Sequence, residues 1–462
     1  MLAVILKTSL RLESWRGAAC SALRRLRRLW EPQATPLHCN PAKAGFSAKS
    51  AIKIVRLIAA IVAANFVTNA NSAELVIYHS WSTPSEIAAL KVLNGKFSAE
   101  GNSWKDLAIA HDSGVNVSLM NMLTGGNPPD VFMNSDPGIY RDLKKQGSAY
   151  PLTKLYQDHH VLEHLPPAVL KNITVDGEIM KAPVGLHIDG MVYYNKHVAD
   201  AVGVDPKSWK SLDDLWAVFD KIKAAGYIPI AQGGDKFQIA YLLQAIIASE
   251  TGNAIYDRFY GGKPDRTCID TPEMRQALVA FRKIQQHTDP GSPNRKWNET
   301  TNLVITGKAL LQIHGDWMKG EFLAAGKHPG VDFDCMNIPG TKGVVVTVDA
   351  WGFLNTKNPE KAKAQEQFAL LAVDPAISAA FAAKKGCSPV RTDVDANSLD
   401  PCNKVVLQTL KDPSMQHSNP FNTADADWYR TVWDVADKFW NTPSMTPDQG
   451  VAEFQRAYDS VF

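Results

Sequence analysis

Short apolar runs alternate with longer amphipathic segments from residue 74 onward, and the last third of the chain reads as mostly helical. That alternation predicts α/β lobes built on largely parallel sheets. Residues 75–78 form an apolar run that predicts a buried strand. Beyond it, Ile87, Leu90, Leu93 and Phe97 recur at near-helical spacing and predict a helix that buries them on one face. Its start is marked. Thr83 can cap, Pro84 suits the first turn, and Glu86, three residues after Thr83, completes a capping box. Ser211 and Asp214 open another helix in the same way, and Gly226 closes it. Further strands are predicted at 131–133, at 191–194, and within IPIAQGG, ALLQIHGDW and VVVTVDAWGF.

Several of these strands end in an aromatic residue and an acid. Trp81 and Glu86 follow the first, Asp316 and Trp317 follow Gly315, and Asp349 and Trp351 close the β-branched run. In open α/β sheets, ligands bind beyond the carboxyl ends of the strands. An indole offers a flat surface to the apolar face of a pyranose, and carboxylates accept from its hydroxyls. Each such charged hydrogen bond contributes roughly 1.5–3 kcal/mol. Plainer readings exist for the same residues. Glu86 can act as a helix cap alone, Asp316 can cap the helix after it, and Trp317 and Trp351 can be core residues.

The charge distribution changes the picture. The formal net charge is +2, but residues 1–73 hold 11 of the 49 Lys and Arg and only 2 of the 47 Asp and Glu. The body is therefore acidic, which argues against a nucleic-acid partner. Lys49, Lys53 and Arg56 precede an uncharged stretch, residues 57–73, whose strongly apolar part is short and gives way to polar and small residues. This layout predicts a secretory signal peptide at about 49–73, cleaved between Ala70 and Ala73, within a leader spanning 1–73. The absence of a cysteine near the cleavage region favours a form that is not lipid-anchored. Cys20 and Cys39 fall in the leader, leaving Cys268, Cys335, Cys387 and Cys402 free to pair in an exported body. No spacing suggests a metal site, and no cofactor is expected.

GGNPPDVF, MVYYNKHV, the block from Gly307 to Trp317, and KKGCSPVR resemble the bacterial extracellular solute-binding proteins of family 1, the periplasmic receptors of ATP-driven sugar importers. DPGSPNRKWN and GDWMKGEF make the glucose/mannose-type branch the most similar. The resemblance implies an α/β clamshell of type II, two discontinuous lobes joined by a hinge. Lobe one would comprise 74–185 and 347–390, lobe two 186–346 and 391–462. It also implies a sugar as ligand, permease subunits of the inner membrane as partners, a periplasmic monomer, and no catalysis. The sugar-binding set carried over by motif is Trp81, Glu86, Asp136, His187, Asp235, Gln238, Trp297, Asn298, Asp316, Trp317, Asp349 and Trp351. Ser80 and Phe237 stand where the family has larger aromatics. By the same resemblance Cys335 pairs with Cys402, both in lobe two.

Two other classes compete. A secreted carbohydrate-processing enzyme would need two facing carboxylates, such as Glu86 and Asp316, about 5–5.5 Å apart. The chain carries no GxSxG, HExxH or Walker sequence. A receptor for a polyol or other non-sugar solute is the second competitor, although a phosphorylated ligand would call for arginines that these motifs lack.

Overall fold

The computed structural model describes residues 73–109, 115–134, 137–395, 397 and 399–462. The leader with its signal peptide, Cys20, Cys39 and Asp136 lie outside the described residues.

Strands β1 (Glu74–His79), β2 (Ser103–Ala108) and β3 (Val131–Met133) pair in parallel in the order β2-β1-β3. A small antiparallel hairpin follows, β4 (Thr174–Val175) with β5 (Glu178–Ile179). β6 (Ala182–Asp189) then runs into β7 (Met191–Asn195) across one residue, Gly190. β7 enters a second sheet with β8 (Ile228–Ile230), β9 (Ala309–His314) and β10 (Phe333–Asn337), in the order β10-β7-β9-β8. β11 (Val344–Phe353) returns to the first sheet, antiparallel to β6 and β3, and β12 (Gln416–Ser418) lies parallel to its first residues.

Each sheet has its own hydrophobic core, so the body has two lobes. One core joins β1 and β3 to the helices Pro84–Ala99, Pro359–Ala372 and Pro375–Lys385, and buries Phe97, Trp351, Phe368 and Phe381. The other packs the helices Lys236–Thr251, Pro272–His287, Ala426–Asn441 and Pro447–Val461 around Phe259, Phe281, Trp428 and Phe439. β6 and β11 pass between them. Leu186 lies in the first core and Ile188 in a satellite of the second, while Val346 belongs to the first and Val345 to the second. Gly190 permits the crossing. Its φ is 84°, a region that L side chains rarely adopt, and a Cβ there would stand 2.7 Å from Ala245 Cβ.

The first helix begins as its capping signature predicts, with Thr83 as N-cap and the reciprocal Glu86 contact present. Its buried face differs from the expectation. Glu86, Ala89, Leu90, Leu93 and Phe97 point inward, whereas Ile87 is exposed. The inward stripe runs through Glu86 because that carboxylate turns back to close the cap. Ser211 and Asp214 likewise form a capping box on Leu212–Ala224, and Gly226 follows with φ 87°.

Cys335 and Cys402 form a disulfide that ties β10 to the helix Pro401–Thr409, and Cys268 and Cys387 are buried thiols. Peptide mapping without reductant should recover that single link and both free thiols. Cys402→Ala should lower stability by about 2–4 kcal/mol, as loss of a long-loop disulfide does. A mapped disulfide to Cys387 would contradict the arrangement.

Candidate functional site

A cleft of about 300 Å³ opens where the two cores face each other. The loop after β1 contributes Ser80, Trp81 and Thr83, the first turn of the helix Pro84–Ala99 contributes Glu86, and the end of β3 contributes Met133 and Asn134. β11 adds Thr347 and Asp349, and the end of the helix Pro375–Lys385 adds Lys385. Across from them stand Phe237, Tyr241, Trp297, Trp317, Tyr429 and Trp433, an almost wholly aromatic wall. Asp235, Lys296, Asn298 and Asn419 supply polar groups on that side.

Of the residues singled out by motif, Trp81, Glu86, Asp235, Trp297, Asn298, Trp317 and Asp349 line the cleft. Four do not. His187 and Asp316 are each 1 % exposed, and Gln238 and Trp351 are wholly buried. Trp351 lies in the core, with its ring in edge contact with Trp81, ring centroids 5.6 Å apart. A register shift between Asp349 and Ala350 interrupts the pairing of β11 with β6, so their two-residue spacing does not bring both to the cleft. Gln238 is occupied in holding its own helix. Its amide nitrogen donates to Asp235 Oδ2 at 2.6 Å and to the Arg295 carbonyl at 2.8 Å. Asp235 caps that helix by accepting from the Gln238 backbone N–H. Asp316 caps nothing; its carboxylate is bound to His187.

The two acids of the first lobe keep an oxygen for the cleft. Glu86 Oε2 accepts from the backbone N–H groups of Ser82 and Thr83 at 2.8 and 2.9 Å. No described residue hydrogen-bonds Oε1. Asp349 Oδ2 meets His187 Nε2 at 3.0 Å and Lys385 Nζ at 3.8 Å, while Oδ1 has no hydrogen-bond partner among the described residues. Burial opposes the charge on Asp349, but His187 and Lys385 outweigh it and hold the carboxyl below its ordinary range. Lys385 also lies over the Trp81 ring, 5.2 Å from its centroid. On the opposite wall Trp317 stacks on Phe237 at 6.4 Å and 29°, and Tyr241 meets its edge. Gly315 makes room for that indole, because a Cβ there would lie 2.1 Å from the Trp317 ring.

Beneath the cleft His187 bridges two carboxylates, Asp316 through Nδ1 at 2.5 Å and Asp349 through Nε2 at 3.0 Å. Burial disfavours the charged ring, but the two acids together push its pKa up to about 9. His314 shows the contrast. It is buried without an acid beside it, and burial lowers its pKa to about 3.

Asn419 follows the short strand β12, which the pattern of apolar runs did not reveal, and Tyr241, Tyr429 and Trp433 lie on helices, so none was among the candidates. The usable signal was the spacing of Tyr429 and Trp433, four apart on one helix and so on one face. Lys385 stood within a quoted family motif, KKGCSPVR, without having been assigned a role.

Because the folded pKa of His187 lies above its ordinary 6.5, its charge stabilises the fold fully below about pH 6.5. That contribution shrinks as pH rises and is lost above about pH 9. His187→Gln should therefore cost on the order of 3 kcal/mol more at pH 6 than at pH 10. Denaturant titrations of both proteins across that range measure it, and a difference that does not vary with pH would contradict the charged bridge.

Residues 82–375 match the model of the bacterial extracellular solute-binding proteins. A probable sugar-binding periplasmic protein of Mesorhizobium japonicum is 33 % identical over 420 residues, covering 88 % of this chain and 99 % of the relative. Among solved structures, a chitin oligosaccharide binding protein aligns with TM-score 0.70 and 20 % identity over 84 % of this chain and 99 % of its own. A bacterial solute receptor with an exclusive preference for β-D-galactopyranose aligns with TM-score 0.71 and 16 % identity, covering 85 % and 99 %. The fold is thus the two-lobed clamshell of the type II periplasmic binding proteins, and the chain belongs to the bacterial extracellular solute-binding protein family.

Proposed function

We propose that this protein is the sugar receptor of an ATP-driven import system, capturing its ligand in the periplasm and delivering it to a membrane permease. The observation that carries the reading is the pairing of two kinds of surface across one cleft. Aromatic rings of one lobe face Glu86 and Asp349 of the other, and each acid keeps one oxygen free of hydrogen bonds to described residues. A pyranose presents an apolar face and a rim of hydroxyl donors, and needs both. The sugar-binding names of relatives such as the Mesorhizobium protein support the same class of ligand. The likeness to glucose/mannose-type receptors makes a neutral hexose the first ligand to try.

In this reading the lobes are 74–185 with 347–390, and 186–346 with 391–462, closing on the sugar by rotation at the β6–β7 and β11 crossings. The separate cores support that division. The signal-peptide layout supports export and cleavage before Glu74, and the family resemblance supports action as a periplasmic monomer. A hydrolytic role is disfavoured because Asp316, the proposed partner of Glu86, is buried against His187 and does not line the cleft.

A thermal-shift panel of hexoses, pentoses, disaccharides and polyols should yield a sugar that raises Tm with concentration and is recovered unchanged. Glu86→Gln retains a capping residue at the same position, so its Tm should stay close to wild type. Its affinity should fall about ten- to more than a hundredfold, through loss of a charged acceptor. Trp81→Ala should weaken binding as well. Conversion of the sugar would favour the enzyme reading, a response to polyols alone the non-sugar receptor, and undiminished binding by Glu86→Gln would reduce that acid to a cap.

A further inference from the structure

β6 and β11 run antiparallel with His187 opposite Thr347 and Gly185 opposite Asp349, so His187 lies beside the two β11 residues that line the cleft floor. The imidazole cannot reach the ligand itself, since it is 1 % exposed. Around it, the space is tightly defined. A Cβ on Gly185 would stand 3.2 Å from His187 Nε2 and 3.0 Å from Cys387 Sγ, and the Trp317 ring meets the imidazole edge-on at 5.4 Å.

We propose that His187 is a positioning residue for ligand binding, a doubly protonated bridge that turns Asp349 toward the cleft and ties it to the segment carrying Trp317. The inference rests on the receptor reading above. An ionised carboxylate accepts and does not donate, so a ring between two ionised carboxylates carries a proton on each nitrogen. At Asp349 the bridge and Lys385 engage the same oxygen, Oδ2, which leaves Oδ1 as the available acceptor. At its other end the bridge holds Asp316, the residue immediately before Trp317, and the Asp316 backbone N–H donates to the Ile188 carbonyl on β6. One buried ring thereby fixes the spacing between an acceptor on β11 and an aromatic surface on the opposite wall. Around the ring, His187 and Lys385 face Asp349 and Asp316, and Glu86 also acts on Lys385. Asp189, two residues along β6, is a further acid near the ring.

The test has two arms. The first needs no ligand and no variant. Nitrogen-15 NMR of the wild-type protein at pH 7.5 should show His187 with protons on both ring nitrogens, and a singly protonated ring overturns the proposal. The second uses whichever of glucose, mannose, galactose, xylose and sorbitol raises the wild-type Tm most. Affinities are measured for His187→Asn, Asp349→Asn and the double variant. Each single change should weaken binding about tenfold or more. If His187 acts through Asp349, the double variant should stay within about twofold of Asp349→Asn, because coupled residues are not additive. Multiplicative losses in the double variant overturn the positioning role while leaving the receptor reading intact. A wild-type protein that binds none of the five overturns the receptor reading, and the positioning role with it. If His187→Asn does not fold, the NMR arm still decides the protonation on which the role depends.

Discussion

The antiparallel pairing of β6 with β11 is the constraint on which the rest of the molecule depends. The two strands are shared between lobes, and successive residues of β11, Val345 and Val346, bury their side chains in different cores. A strand in that position cannot be moved without disturbing both sides. Gly190, with φ 84°, takes the backbone from β6 into the second sheet. His187, Asp189, Thr347 and Asp349 sit on the same pair, so part of the cleft floor and the crossing between lobes belong to one structural unit.

Much of this buried polarity is paired, although Asp316 Oδ2 and Asp189 Oδ1 have no hydrogen-bond partner among the described residues. His187 and Lys385 face Asp316 and Asp349, and Asp189 Oδ2 accepts from Thr347, Asn419 and Gln244 at 2.9–3.1 Å. Burial raises the Asp189 pKa to about 7 despite the hydrogen bonds from Thr347 and Asn419. Replacing one member of such a group leaves its partners buried and unpaired, which is costlier than the loss of an exposed ion pair. The same arrangement restricts the orientation of the cleft acids. Preorganised acceptors lose less freedom on binding than mobile ones, so a modest cleft with few free oxygens can still bind a neutral solute.

What could be read in the sequence was mostly local. The Thr83 to Glu86 capping box fixed a helix start to the residue, because both partners lie within one turn. The aromatic-and-acid signature at strand ends led to Trp81 and Trp317, since a side chain just past a strand is near the sheet's carboxyl edge by construction; Asp349 was reached by the same signature but lies inside β11, not at its end. The signature also selected Trp351 and Asp316, which the packing turns away from the cleft. His187 was read as a ligand, and its actual partners stand 129 and 162 residues away in the chain. Asn419 reaches the cleft because β12 pairs with β11, and Tyr429 and Trp433 because the helix Ala426–Asn441 folds back onto the second lobe; their spacing marks a shared face but not where that face points. The stripe on the first helix shows the same limit, with Glu86 inward and Ile87 outward against simple hydrophobic ordering.

The central claim is that a sugar closes the two lobes about the β6–β11 crossing. Small-angle X-ray scattering of the mature protein, with and without saturating sugar from the thermal-shift panel, tests it most directly. The account predicts a smaller radius of gyration and a shorter maximum dimension on binding. Superimposable scattering curves from demonstrably saturated and ligand-free protein would contradict it.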